Sequence, residues 1–227
     1  FICSPANPQG VIASKGYFEQ AIRLARKHDF VIISDECYSD IYYSTQPVSA
    51  LQTCNDMASN TTSRSVYNRV IVTNSLSKRS NAAGFRSGFI AGDEEIIEGF
   101  ARFRSCISAT IPQPIEVASA KLWSDDGHVD KIRQFYRRNV ETAATLLNGK
   151  FDFYKPEGGF FLWLQVEDGE KAAQILWQKG GLKVLPGSYI AHTDVNGFNP
   201  GKKYIRVALV AHNKIIKSAC RRLVNIL

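Results

Sequence analysis

The chain has 227 residues, 44% of them hydrophobic, and 28 Lys and Arg stand against 21 Asp and Glu for a net charge of +7. That length and composition can bury a core in one large domain or two smaller ones. No apolar run approaches the roughly 20 residues a membrane span needs, the opening FICSPANPQG lacks the regions of a signal peptide, and basic residues such as Lys131, Arg133, Arg137 and Arg138 fall on presumed solvated helix faces rather than in a nucleic-acid patch, so the expectation is a cytoplasmic protein that binds neither membrane nor nucleic acid.

In chain order, FICS reads as a buried strand already in progress and ANPQG as the turn that ends it, which raises the expectation of a missing N-terminal part. Ser14 can cap a helix that sets Phe18, Ala21, Ile22 and Ala25 on one face, and VIIS then forms a short buried strand ending at Asp35. Cys54 to Ser65, rich in Ser, Thr and Asn, reads as a polar loop. RVIVTN (69–74) and GFIAG (88–92) are further strand-length apolar runs, so the first part of the chain looks like an α/β sheet with helical crossovers.

A break at Ile111 to Pro114 precedes a helix near Glu116 to Trp123 and a long amphipathic one from about Val129 to Asn148. FDFYKPEGGFFLWLQV resembles a hairpin with a Pro-Glu-Gly-Gly turn. A helix near Lys171 to Lys179, strands at KVLP and YIRVAL, and a C-terminal helix complete a second, α+β unit. Trp163 with Phe160 and Phe161 reads as core packing.

Cys3, Cys37, Cys54, Cys106 and Cys220 are odd in number, widely spaced and free of any CxxC pair, which argues against a disulfide framework and a zinc site. His28, His128, His192 and His212 show no ligand spacing either, so no metal is expected.

Four positions ask for a chemical reason. Asp35 stands at the C-terminal end of a buried strand, where open α/β sheets hold ligands, although an Asp there can also cap the next helix. Asn7-Pro8 ends the preceding strand in the same way. Lys78 follows a third strand in SLSKRSNAAGFRSG, flanked by Ser75 and Ser77 and followed by a loop punctuated by Gly84 and Gly88. A partly desolvated lysine can form a Schiff base with an aldehyde, and the Ser75 hydroxyl and the Arg86 fork suit a phosphate. With Asp35 for a ring nitrogen, these groups describe one ligand, pyridoxal 5′-phosphate.

The motifs Asn7-Pro8-Gln9-Gly10, Asp35-Glu36-Cys37-Tyr38, Ser75-Leu76-Ser77-Lys78 with Gly84, Arg86 and Gly88, and Tyr204-Ile205-Arg206-Val207-Ala208, in this order, resemble the fold type I aminotransferases of class I and II over essentially the whole chain. The resemblance implies an α/β fold: residues 1–112 as the C-terminal portion of the cofactor-binding large domain with its mostly parallel sheet, and 113–227 as connecting helices and a smaller α+β C-terminal domain. It implies that Lys78 forms the Schiff base, Asp35 keeps the pyridine nitrogen protonated, Asn7 and Tyr38 bind the phenolic oxygen, Ser75 and Arg86 grip the phosphate, and Arg206, with Asn7, binds the substrate carboxylate.

Amino acid and 2-oxo acid substrates and a homodimer are implied with it. SLSKRSNAAGFRSGFIAGD and GLKVLPGSYI look most like succinyldiaminopimelate aminotransferases, which work with glutamate and 2-oxoglutarate. Aspartate and aromatic aminotransferases, a cysteine-sulfur β-lyase using the same residues, and a non-catalytic aminotransferase-like regulator domain stay open as alternatives.

Overall fold

The computed structural model describes residues 1–58, 66–107 and 110–227. The chain folds into two compact units, one of Phe1–Ala6 with Val11–Arg133, the other of Asn7–Gly10 with Gln134–Leu227.

In the first unit β1 (Ile2–Cys3), β2 (Ile32–Asp35), β3 (Val70–Ser75) and β4 (Gly88–Gly92) form a sheet in the order β1-β2-β3-β4. The first three strands are parallel and β4 is antiparallel to β3, so the sheet is mostly parallel, as the apolar runs predict. Helix α1 (Lys15–His28) starts where expected, because the Ser14 hydroxyl accepts the Tyr17 N–H at 3.2 Å, and Asp29 closes it in the left-handed region. Its apolar stripe Phe18, Ile22 and Ala25 is fully buried against Ile32, Val70 and Val72 of the sheet and against Ala50 and Cys54. Burial of side chains as large as Phe18 and Ile22 contributes about 1.5–3 kcal/mol each.

The loop expected from Cys54 to Ser65 needs correcting at its start. Helix α2 (Ala50–Met57) continues through Cys54, because Ser49 caps it and Ala50, Thr53 and Cys54 form a buried face at helical spacing; residues 59–65 lie outside the described residues. After β3 come a single turn of helix, α3 (Leu76–Arg79), and a short 3-10 turn (Ala83–Phe85) before β4. Helices α4 (Glu94–Ile107) and α5 (Gln113–Trp123) follow, then α6 (Gly127–Leu147), within which the division between the units falls.

The second unit carries a sheet of β5 (Phe161–Gln165), β7 (Tyr204–Ala208) and β6 (Leu185–Pro186), in the order β5-β7-β6 and antiparallel throughout. Helices α7 (Gly169–Gly180) and α8 (Asn213–Ile226) complete it. Its buried side chains include Val140, Ala143 and Leu147 of α6, Leu162, Leu164 and Ile205 of the sheet, and Ile216, Cys220 and Leu223 of α8. The fully buried Asn139 is satisfied, donating to the carbonyls of Leu209 and Ala211 at 2.8 and 2.9 Å and accepting from Asn213.

Two expectations for this unit fail. The hairpin over 151–166 does not form: β5 pairs with β7, some forty residues downstream, while Phe151 and Asp152 sit at positive φ and Pro156 has no N–H for a ladder. The Glu157 and Gly158 N–H groups of the Pro-Glu-Gly-Gly turn donate instead to the Gly10 carbonyl at 2.9 and 3.0 Å. The KVLP strand contracts to Leu185–Pro186. In the first unit, the basic residues at the start of α6 are not uniformly solvated either. The Arg133 side chain is only 19% exposed, lying over the Tyr42 ring at 4.3 Å and donating to the Asp40 carbonyl. Trp163 stacks on Tyr204 at 4.9 Å, and Phe160 on the buried Tyr136 at 4.7 Å, which is packing of the kind expected.

No described helix is long and apolar enough to cross a membrane, and the described residues gather no group of three or more metal-type side chains.

Candidate active site

The parallel ladder brings Asp35 level with Cys3 of β1 and Thr73 of β3, so three strands end together on one edge of the first sheet. Asp35 does not cap a helix. Its Oδ1 accepts the N–H of Cys37, two residues on, at 3.1 Å, which turns the chain at the strand end. Burial pushes the Cys37 thiol well above its ordinary range; the Asp35 carboxylate reinforces this and the Lys78 ammonium opposes it, so one thiol senses both charges.

Glu36 takes the opposite path. It is only 5% exposed, and its Oε1 accepts from the Ser34 hydroxyl at 3.1 Å and from the Ala50 N–H at 2.9 Å at the start of α2. Burial raises its carboxyl above the usual range against these hydrogen bonds. The capping acid beside the sheet is therefore Glu36. The Asp-Glu pair does not reveal this by itself, although the alternation of a strand does.

Tyr38 is buried in the turn that follows, with the Lys78 Nζ 5.9 Å from its ring centre. Lys78 lies in α3, and Ser75 is the extended residue immediately before that helix, with its side chain making no cap bond to it. Arg86 leaves the 3-10 turn at φ +52 and donates to the Ala83 carbonyl at 3.1 Å; this left-handed step returns the chain so that Gly88 pairs with Ser75. The approach is so close that a Cβ on Gly88 would stand 2.5 Å from the Asn74 carbonyl oxygen and 3.0 Å from the Ser75 Cβ. Asp35, Tyr38, Ser75, Lys78 and Arg86 thus all stand at the ends of β2, β3 and the start of β4 in the first unit.

Asn7 and Arg206 belong to the second unit. Arg206 is half-buried at the middle of β7, opposite Trp163 of β5 and Leu185 of β6, and its guanidinium lies over the Phe161 ring at 4.3 Å. Its Nη1 donates to Asn7 Oδ1 at 3.0 Å. The aromatic seat under Arg206 is a feature that sequence reading assigns to the core alone; the period of β5 puts Phe161 and Trp163 on one face and could have signalled it.

The donor set of the first unit fits pyridoxal 5′-phosphate: an amine for its aldehyde, a carboxylate for its ring nitrogen, a phenol for its ring oxygen, and a hydroxyl with a guanidinium for its phosphate.

Residues 1–223 match the family described as aminotransferase class I and II. A 4-dedimethylamino-4-oxo-anhydrotetracycline transaminase of Streptomyces rimosus is 32% identical over 97% of this chain and 58% of its own length. The crystal structure of an aminotransferase from Neisseria meningitidis superposes with a TM-score of 0.90 at 36% identity, covering 99% of this chain and 56% of that one. A probable N-succinyldiaminopimelate aminotransferase from Thermus thermophilus gives a TM-score of 0.83 at 29% identity, with 100% of this chain and 58% of that one covered. The chain therefore spans a little over half the length of these relatives.

Proposed function

Because the chain belongs to the class I and II aminotransferase family, whose members use pyridoxal 5′-phosphate, we propose that it is the cofactor-binding and substrate-binding part of an aminotransferase that moves an amino group between an amino acid and a 2-oxo acid. The observation that carries this reading is the Lys78 amine 5.9 Å from the Tyr38 ring centre, on the sheet edge that also holds Asp35, Ser75 and Arg86.

When bound, pyridoxal 5′-phosphate supplies an aldehyde carbon for amine exchange and a ring that accepts the electron pair released at the substrate Cα. The Asp35 carboxylate holds a proton on the ring nitrogen, because a neighbouring negative charge favours the charged form. Lys78 would hold the cofactor's aldehyde carbon through its amine. The same amine would serve as the base that takes the substrate Cα proton and as the acid that returns it. Ser75 and Arg86 grip the phosphate, the guanidinium bidentately. The Tyr38 hydroxyl would donate to the phenolic oxygen; in the second unit, Asn7 would offer its amide N–H groups to a ligand oxygen and Arg206 would receive the substrate α-carboxylate. The two keto acids would be handled in turn by these same residues, a ping-pong cycle.

For the substrate, we propose N-succinyl-LL-diaminopimelate with glutamate and 2-oxoglutarate. Support comes from the likeness to the Thermus thermophilus protein and from the net charge of +7, which suits polyanionic substrates. A cytoplasmic homodimer belongs to the same reading.

Reduction of a mixture of the protein and pyridoxal 5′-phosphate with borohydride, followed by peptide mass spectrometry, tests it. A pyridoxyl group confined to Lys78 and lost in Lys78→Ala is expected; label spread over surface lysines in both proteins would refute the role of Lys78.

A further inference from the structure

Lys78 sits in a helix of only four residues, Leu76–Arg79. So short a helix has almost no stability of its own, and its side chains decide where it docks. Two of them are buried, at i and i+3: Leu76, with no exposure, and Arg79, whose side chain is 6% exposed.

The Arg79 guanidinium is held on several sides. Its Nη1 donates to the Leu122 carbonyl at 2.8 Å near the end of α5, its Nη2 to Asp126 in the turn before α6, and its plane lies 5.2 Å from the Trp123 ring. Its Nε faces the Asp40 carboxylate at 3.5 Å. Asp40 closes the turn that begins at Asp35 and contains Tyr38, and the Ile41 N–H donates to the Tyr38 carbonyl at 2.9 Å within that turn. A second strut joins the same segments, since Asn74 Nδ2 donates to the Ser39 hydroxyl at 3.3 Å. A third holds the far end of α3, where His128 Nε2 meets the Ser80 hydroxyl at 2.8 Å and its Nδ1 meets Asp125 at 3.1 Å.

We propose that Arg79 is a positioning residue. Tied to Asp40 on one side and to Leu122 and Asp126 on the other, its guanidinium sets where the Lys78 amine stands relative to Asp35 and Tyr38. The inference rests on the reading of Lys78 as the cofactor lysine. It explains why the residue next to Lys78 is a buried arginine: its five N–H donors are spread over three nitrogens in a rigid plane and reach oxygens of separate elements in fixed directions, whereas a lysine has three donors on a single atom. A misplaced amine changes how well the cofactor is held and how readily the bound cofactor takes up a proton, because both depend on distances of an ångström or less.

The test compares the full chain with Arg79→Lys, Asp40→Asn and Lys78→Ala. For each, pyridoxal 5′-phosphate is titrated against the visible absorbance of the bound cofactor, the pH midpoint of that absorbance is recorded, and folding is followed by circular dichroism. Asp40→Asn, at a side chain about a third exposed and with an amide of the same shape, is the deciding variant where Arg79→Lys does not fold. Both folded variants are expected to bind cofactor roughly tenfold more weakly, as is usual when a supporting residue behind a site is lost, and to shift the pH midpoint. A folded Asp40→Asn with unchanged affinity and midpoint overturns the inference while leaving the role of Lys78 intact. A wild-type protein with no absorbance that depends on Lys78 overturns both.

Discussion

The Arg206 guanidinium donates to the Asn7 side-chain oxygen at 3.0 Å across 199 positions of sequence, and this fixes which end of the amide is left over. Arginine can only donate, so Asn7 must present its oxygen to Arg206, and its two N–H donors remain for a ligand oxygen. Replacing Asn7 by Asp keeps the acceptor for Arg206 and removes both donors. Titration should then show pyridoxal 5′-phosphate bound about tenfold more weakly. Arg206→Lys should instead leave cofactor affinity near that of the wild type and raise the KM for the amino acid. Wild-type affinity in Asn7→Asp would remove the amide from the site.

Gly88 should tolerate no side chain. Gly88→Ala sets a methyl 2.5 Å from the Asn74 carbonyl oxygen, against backbone that cannot step aside, and should cost about 1–3 kcal/mol in urea unfolding. Gly84→Ala, where an added Cβ meets nothing within 4 Å, should change stability by about 0.5 kcal/mol or less. Equal midpoints for the two variants would contradict the close approach of Gly88 to Ser75.

The buried Glu36 predicts a slope with pH. Its carboxyl titrates above the ordinary 4.5 when folded, so between that value and its folded one the native state holds more protons than the unfolded state. Stability from this group is then complete below about pH 4.5 and declines as pH rises through the folded value. Glu36→Gln keeps an oxygen for Ser34 and Ala50 and carries no titrating group, so its urea midpoint should decline less from pH 4.5 upward. Parallel curves for the two proteins would show that Glu36 titrates normally.

Cysteine reactivity should separate by exposure. Cys106 is exposed, whereas Cys54 and Cys220 are buried and burial pushes the Cys220 thiol up to about 11. A brief exposure of the folded protein to a thiol reagent should label Cys106 first, with Cys54 and Cys220 reached only in denaturant. Early modification of Cys220 would mean that the face of α8 opens.

Much of the layout is legible in the sequence because the signals are local. Ser14 before an apolar stripe starts α1, and short β-branched runs bounded by polar residues form β2 and β3. The candidate residues are legible for a different reason: polar side chains recur at successive strand ends, and together they match the groups of one ligand. What escapes is decided at long range or by contacts. The strand β5 finds its partner forty residues on, so no local rule rejects the hairpin that FDFYKPEGG imitates. Arg79 looks like any other basic residue until the oxygens around it are seen. The start of α2 could have been read from Ser49 and the spacing of Ala50, Thr53 and Cys54, which the neighbouring polar residues obscure.

Asp35 and Glu36 are neighbours in sequence, chemically almost alike, and committed to opposite faces: one to the strand end, the other to the root of α2. Their assignments depend on parity alone. Deleting or inserting one residue within β2 would exchange them, sending the longer acid to the ligand edge and leaving the shorter one to reach for the Ala50 amide. Substitution of a side chain in this segment leaves the two assignments in place, while a change of length does not. The count of residues in β2 is itself part of the site.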